Sequence, residues 1–532
     1  MLKNSYRSYL PLFFILVIAS ALRFGWLSKY PVSLNVDEVA IGYDAFSILN
    51  TGKDVHQHSF PLVFESLGDY KPGFYIYSVV LSEAIFGLNE FAVRFPSALA
   101  GVVTIFVLYL LVKLTTDKRS LALFSAMVLT FSPWHLKLSR GAFEANMALC
   151  LLLLGFYLTL VAIKKSKKMN WGLLFFALSM YTYHSEKVIA PLLLVSLCVV
   201  FWNELVNKKL LISWIIIFAI SITPFMLTLG NNNQSRLASK LVTKDQEISI
   251  FVSRSTELNN FDRLAVSINT VFRRYIQFLD FGYTTNKGLD FTNSTSFDMG
   301  WIYWLEFPLL MMGIFVLAKN KIFVDKKYLY CFGAWTLLSP LPASITMDDY
   351  HIYRLITLVI PFSVLIAIGI NKLVELQPKY IYIGLVIMYL INISIFADYY
   401  LLHYSYDKSD WQFDPSKEVA VTVLENLTKY DKIIVDPVFG KDGPYIYGVP
   451  DLYILFYGKI KPQEYWSSIT DKGFKNIEFR RMNWNIEKLT QNNLLIGSVW
   501  SLAESDLGPA ITKKIKYFNG ETAYLVAETP AP

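Results

Sequence analysis

The chain has 532 residues, of which 54% are hydrophobic and 17% charged, against about 25% charged in soluble proteins, and its mean hydropathy is +0.39. That balance excludes a soluble enzyme and a disordered tail. The formal charge of +7 sits in short Lys and Arg clusters between apolar runs, a pattern that orients a membrane protein and gives no support to nucleic-acid binding.

Crossing the hydrocarbon takes about 20 helical residues. Stretches of that kind run approximately over 10–27, 91–113, 120–135, 142–163, 170–184, 187–203, 210–229, 299–318, 328–345, 353–371 and 379–399, which makes about eleven spans. Cys150, Cys198 and Cys331 lie in apolar runs and read as small buried hydrophobes, so no disulfide framework or zinc cluster emerges. Positive charge marks alternate gaps. Lys3 and Arg7 precede the first span, Lys113, Lys118 and Arg119 follow the second, and Lys164, Lys165, Lys167 and Lys168 follow the fourth. Lys208 and Lys209, then Lys319, Lys321, Lys326 and Lys327, then Lys372 and Lys379 continue the alternation. All fall inside if the N-terminus is cytoplasmic. Segments 28–90, 136–141, 230–298 and 346–352, and everything after about residue 400, then lie outside the plasma membrane. Ala19-Ser20-Ala21 imitates a signal-peptide cleavage site, but the apolar run continues to Leu27, and cleavage would leave the same outer surfaces.

Residues 73–87 are apolar but short and contain Glu83; they read as an interfacial helix, since a crossing there would invert every later positive cluster. The polar segment 230–298 has a helical middle from Phe261 to Asp280. After residue 400 the pattern changes. PSKEVAVTVLENLTKY predicts a helix, KIIV at 432–435 and Asn493 to Ile496 predict strands, and Asn519-Gly520 predicts a two-residue hairpin turn. The fold class expected is therefore an α-helical polytopic membrane domain over 1–400, with outer loops 28–90 and 230–298, and an extracytoplasmic α/β domain over 401–532. The sequence holds no nucleotide-binding glycine loop, Walker sequence or HExxH pair.

The outer segments carry the residue types that do chemistry. Asp37 and Glu38 stand just beyond the first span; adjacent carboxylates near a bilayer suit a proton acceptor, while an Asp before VAIGYDAFSIL equally suits a helix cap. Asp69-Tyr70-Lys71-Pro72-Gly73 follows, where Lys71 can meet a phosphate or merely snorkel. Arg23, inside the first span, needs a partner, for which a carboxylate is the natural choice. Arg140 and Glu144 flank the turn after the third span and can hold a headgroup or each other. Tyr183 and His184, with Glu186 and Lys187, form a polar turn beside an aromatic belt. His351 and Arg354 close an outer turn that begins with Asp348 and Asp349, and Arg354 there either snorkels or contacts phosphate.

Asp37-Glu38, the Lys71-Pro72 re-entry, FAVRFPSALAGVVTIFVLYLL, SPWHLKLSRGAFEANMAL, YTYHSEKVIAPLLL and SPLPASITMDDYHIYRLITLVIPF, in this order, make residues 8–400 resemble a known group. It is that of the bacterial protein-O-mannosyltransferase-like and aminoarabinose-transferase-like membrane glycosyltransferases of the GT-C fold, family 39-like. The resemblance implies transfer of a sugar from a polyprenyl-phosphate donor, with inversion, to an acceptor hydroxyl at the outer membrane face. It implies Asp37 as general base and Glu38 as orienter of the acceptor. It implies Lys71 near the lipid phosphate, with Arg140 and Arg354 as further phosphate contacts; Asp69, Tyr183, His184 and His351 join them on the substrate side as residues of the outer turns. Gly73 departs from the group, which has a second proline there, and the oligosaccharyltransferase relatives' Trp-Trp-Asp signature does not occur.

Polyprenyl phosphate is a poor leaving group unless fixed cations meet its developing charge, a need that Lys71 and Arg354 suit. No cofactor is required, although Asp37, Glu38 and Asp69 suit a divalent cation as well as an acceptor. The partners expected are membrane lipids, the lipid-linked sugar donor and an acceptor that the sequence does not name: glycan, lipid or protein. One rival reading is a transporter or lipid flippase with an outward charged cavity; it is disfavoured because the acids gather outside rather than at the midplane. A non-catalytic outer scaffold is a second rival, and has no need of Asp37.

Overall fold

The computed structural model describes residues 2–167, 169–207, 211–228, 260–280, 282, 284–285, 299–347, 351–376, 379–407, 413–440, 443–444 and 446–530. Most of the outer segment 230–298 and the pair Asp348-Asp349 lie outside these residues. Two compact units share the chain. One comprises Met1–Gly25, Leu62–Tyr75 and Ser97–Ala397; the other comprises Trp26–Pro61, Ile76–Pro96 and Asp398–Pro532.

In chain order the first helices are α1 (Leu2–Phe24) and α2 (Val36–Thr51), followed by strands β1 (Val63–Ser66) and β2 (Asp69–Pro72). Next come α3 (Phe74–Phe86), α4 (Glu90–Thr116), α5 (Arg119–Phe131), α6 (Pro133–Ser139), α7 (Glu144–Lys164), α8 (Gly172–Met180) and α9 (Glu186–Val200). They are followed by α10 (Leu211–Thr228), α11 (Asn260–Ile276), α12 (Glu306–Lys319), α13 (Lys326–Leu338), α14 (Val359–Leu376) and α15 (Lys379–Asp398). The helix expected within 261–280 is thus α11.

Among the described residues, four helical stretches are long and apolar enough to cross a bilayer: Glu90–Thr116, Glu144–Lys164, Ile356–Glu375 and Tyr382–Tyr406. Helices α5 and α6 qualify only as a pair, bent by 61°. The bend has a covalent cause. Pro133 lacks the N–H that would bond the Leu129 carbonyl, and Ser132 restarts the helix by accepting from the His135 N–H at 3.3 Å. Shorter apolar helices are Tyr9–Phe24, Phe74–Phe86 and Leu211–Thr223.

Burial sorts the long helices. The apolar window of Ile356–Glu375 is 83% buried and that of Tyr382–Tyr406 only 17%, so the former is interior and the latter peripheral. Helix α15 exposes Ile383, Val386, Ile387, Leu390 and Ile391, a surface that lipid accommodates and water does not. Helices α12 and α14 touch backbone to backbone: a Cβ on Gly313 would lie 1.9 Å from the Leu365 carbonyl oxygen, and one on Gly369 2.1 Å from that of Leu309. Lipid gives helices no hydrophobic reason to associate, so such small-residue approaches supply the packing.

The C-terminal region contains α16 (Pro415–Asn426), β3 (Lys432–Val435), β4 (Val438–Phe439), β5 (Ile446–Tyr447), α17 (Pro450–Tyr457) and α18 (Pro462–Ser468). Strands β6 (Ile469–Thr470), β7 (Gly473–Phe474), β8 (Ile477–Phe479), β9 (Asn493–Ser498), β10 (Ile511–Lys516) and β11 (Thr522–Glu528) follow. The main sheet has the order β10-β11-β9-β3-β8-β7-β6. Strand β3 runs parallel to both β8 and β9, and every residue of β9 is buried, as a strand covered on both faces requires. The expected helix and strands at 415, 432 and 493 are α16, β3 and β9. The hairpin β10–β11 is also present, but its turn differs from the two-residue form expected. The Gly520 N–H donates to the Tyr517 carbonyl at 2.8 Å and the Tyr517 N–H to that of Glu521 at 2.9 Å. That closes a three-residue loop with Gly520 at φ +88°, the left-handed position that ends such loops.

Candidate active site

The segment that carries Asp37 is fixed by its neighbours. Asn35 caps α2 by accepting the Glu38 N–H at 2.9 Å, and Glu38 Oε2 accepts the Asn35 N–H at 3.1 Å, a reciprocal capping box. Asn35 and Glu38 therefore do the capping, and Asp37 stands exposed on the first turn. Glu38 is buried, and its carboxylate is gripped by Arg94, Nε to Oε1 at 2.9 Å and Nη2 to Oε2 at 3.0 Å. Arg94 is itself fully buried and donates further to the carbonyls of Leu27 at 3.1 Å, Pro31 at 2.9 Å and Ser33 at 2.6 Å. Every N–H of one guanidinium is thus used, and the chain before α2 is tied to the helix that bears Asp37. The sequence alone does not signal this role, since Arg94 and Glu38 are 56 residues apart.

The C-terminal region reinforces the same segment. Tyr453 on α17 donates its hydroxyl to the Leu34 carbonyl at 2.7 Å, and Ser33 donates to that of Phe413 at 3.2 Å. Tyr43 on α2 donates to the Ile460 carbonyl at 2.9 Å. Gly42 lets these elements close: a Cβ there would lie 2.6 Å from the Phe456 ring and 2.8 Å from Val93.

Lys71 lies on β2, opposite Phe64 of β1, and is buried. Asp69, in the same hairpin, accepts the adjacent Tyr70 N–H at 2.8 Å. The Gly73 N–H donates to the Leu62 carbonyl at 2.9 Å, a bond that a proline at this position cannot make, so the departure from the Lys-Pro-Pro pattern has a structural use. His184 holds the hairpin from the other side, with Nε2 2.9 Å from the Tyr70 carbonyl oxygen and Nδ1 3.0 Å from the Lys187 ammonium. A carbonyl only accepts and an ammonium only donates, so both contacts are hydrogen bonds in the tautomer that carries its proton on Nε2. The Phe74 N–H adds a bond to the Tyr181 carbonyl at 3.1 Å, and the Tyr183 carbonyl accepts the Glu186 N–H at 3.3 Å. The turn with Tyr183 and His184 therefore braces Lys71's strand.

Two arginines gather where α1 ends. Arg23 finds carbonyls and an imidazole rather than the carboxylate expected: Leu129 O at 3.3 Å, Thr130 O at 3.4 Å and His135 Nδ1 at 2.8 Å. Pro133 is the reason, because it strips α5 of the N–H partner that the Leu129 carbonyl would have had. Arg140 is buried, and its Nη1 donates to the carbonyls of Leu22 at 2.6 Å and Gly25 at 2.9 Å, which caps the C-terminal end of α1. Arg354 donates to Thr346 Oγ1 at 2.9 Å and to the Met347 carbonyl, and its own N–H bonds the His351 carbonyl at 3.0 Å. The Trp134 indole N–H donates to the Ile352 carbonyl at 3.1 Å, which joins α6 to this turn. Among the described residues, no three His, Cys, Asp or Glu side chains are grouped to hold a metal ion.

Residues 71–227 match the family model described as dolichyl-phosphate-mannose-protein mannosyltransferase. ArnT from Cupriavidus metallidurans, solved with undecaprenyl phosphate, superposes with a TM-score of 0.56 at 12% identity, over 97% of this chain and 97% of that one. The fold is that of the GT-C glycosyltransferases. The archaeal oligosaccharyltransferase AglB from Archaeoglobus fulgidus, solved with an inhibitory peptide and a dolichol-phosphate, gives a TM-score of 0.50 at 11% identity, over 95% of this chain and 70% of that one. No curated protein matches the chain by sequence. The GT-C likeness to ArnT extends through the C-terminal region, whereas the residues quoted for the sequence resemblance stop near 400.

Proposed function

We propose that this GT-C protein is a plasma-membrane glycosyltransferase that moves a sugar from a polyprenyl-phosphate donor to an acceptor hydroxyl on the outer face, its N-terminus being cytoplasmic. Asp37 carries the reading. It stands exposed on a turn whose capping is done by Asn35 and Glu38 and whose backbone Arg94 secures, which suits a base that must meet an acceptor in a fixed geometry. Asp37 takes the acceptor's hydroxyl proton as the oxygen attacks the anomeric carbon. The bond from that carbon to the phosphate oxygen breaks with its electron pair, and the polyprenyl phosphate leaves with inversion at the sugar. Lys71 and Arg354 meet the charge that develops on the phosphate. Glu38 serves through Arg94 by holding Asp37's turn, and Arg140 serves by holding the end of α1.

The test is transfer from a radiolabelled polyprenyl-phosphate sugar pool in membranes, comparing the wild-type chain with Asp37→Asn at equal expression. Removal of a general base lowers turnover by about 10²- to 10⁴-fold, with donor binding retained. Unchanged transfer would remove Asp37 from the chemistry. Transfer by neither protein, with lipid movement across vesicles by both, would favour the flippase.

A further inference from the structure

Three lysines that the sequence distributes over separate inner clusters meet at one cavity of about 190 Å³: Lys118 at the start of α5, Lys321 just after α12 and Lys372 near the end of α14. Asn320 and Asn371 add amide donors to its wall, and Glu375 is the single carboxylate. Leu121 and Ile368 supply an apolar side. The carboxylate is already engaged: Glu375 Oε1 accepts from Asn371 at 2.6 Å, and Oε2 lies 3.7 Å from Lys372 Nζ. Lys118 and Lys321, by contrast, have no ion-pair partner among the described residues.

Topology alone requires lysines at inner helix ends, but not that they converge. Three neighbours in the same clusters are engaged away from the cavity. Lys113 pairs with Asp117 at 2.7 Å, Lys319 lies 4.2 Å from the centre of the Phe315 ring, and Lys327 pairs with Glu204. Lys118 and Lys321, which have no such ion pair, both line the cavity beside Lys372. We propose that this pocket binds a phosphate group, with the headgroup of an acidic phospholipid as the source that its mixed lining fits. Lys118 and Lys321 supply the charge; Asn320 and Asn371, each of which spends one amide N–H on Val316 O at 3.0 Å or Glu375 Oε1 at 2.6 Å, offer the second; and the aliphatic side faces the glycerol and first methylenes, as in basic pockets between helices at an inner membrane face. The site is independent of sugar transfer and of the residues assigned to it.

The full-length protein in neutral detergent is titrated with phosphatidylglycerol, phosphatidylcholine or inorganic phosphate, and binding is read by native mass spectrometry and thermal shift. Phosphatidylglycerol is retained and protects where phosphatidylcholine does not. The Lys118→Gln/Lys321→Gln variant binds it about thirty-fold more weakly, as the loss of two surface cations near a lipid headgroup implies. A Lys113→Gln/Lys326→Gln control, which removes the same charge away from the pocket, binds as wild type. Protection by inorganic phosphate that equals the lipid's and is lost in the first variant would keep the site and name free phosphate as its ligand. Equal loss in both double variants, or protection by none of the additives, would overturn the proposal.

Discussion

Arg94 and Glu38 form the most demanding contact around Asp37, because both charges are buried and neither can be removed alone. Arg94→Met would strand the Glu38 carboxylate in a buried site, at a cost of about 3–5 kcal/mol, and would free Leu27, Pro31 and Ser33 from their common donor. The expected outcome is a lower unfolding temperature in detergent together with lost transfer, and partial recovery of stability in Arg94→Met/Glu38→Gln. Asp37→Asn, being exposed, leaves the unfolding temperature within error, which separates the two neighbours' roles. His184 allows a similar separation on the other unit. His184→Ala removes both the donor to Tyr70 and the acceptor for Lys187, so Lys71's strand loses its brace and KM for the lipid donor rises. His184→Gln offers an amide donor and an amide acceptor, and restores most of the affinity. Equal KM in all three proteins would show that the brace is idle.

Helix ends explain much of how these elements are placed. Pro133 breaks α5, the carbonyls it frees are taken by Arg23, and Arg140 covers the carbonyls at the end of α1. A proline also opens α16, but there the preceding Asp414 makes no capping bond. Burial instead pushes its carboxyl up from 3.8 to about 6, with Glu418's charge adding and a backbone bond from Phe518 opposing. The folded pKa lies above the unfolded one, so the folded state holds the proton more tightly. The stability this contributes is complete below pH 3.8 and is lost as pH rises through about 6. Asp414→Asn should therefore flatten the stability curve between about pH 4 and 7. Because the group is partly exposed, the gain at pH 7.5 is about 1–2 kcal/mol, read as a higher unfolding temperature at pH 7.5 and none at pH 4.

For the molecule as a whole, what could be read in the sequence was what depends on local pattern: the apolar runs, the helix at 415, the strands at 432 and 493, and the hairpin at Asn519-Gly520. Pairings across long stretches of chain were not legible. A sequence shows the charges that could partner Arg23 but not the carbonyls that Pro133 releases. Arg94 and its partner Glu38 lie 56 residues apart, a pairing that no local pattern signals. The same limit hid the use of the C-terminal region, whose Tyr453 lies 419 residues from the Leu34 carbonyl it bonds. That bond makes the region a support for Asp37's turn rather than a separate appendage. Tyr453→Phe keeps the ring in its buried place and removes only the hydroxyl, leaving the Leu34 carbonyl short of a donor at a cost of about 1–3 kcal/mol. If the region positions the turn, transfer falls by about tenfold, short of the roughly hundredfold that a displacement of about 1 Å exacts, while donor affinity holds. Unchanged transfer at the lower stability would mean that the C-terminal region contributes only to folding, and that Arg94 and Glu38 suffice to hold Asp37.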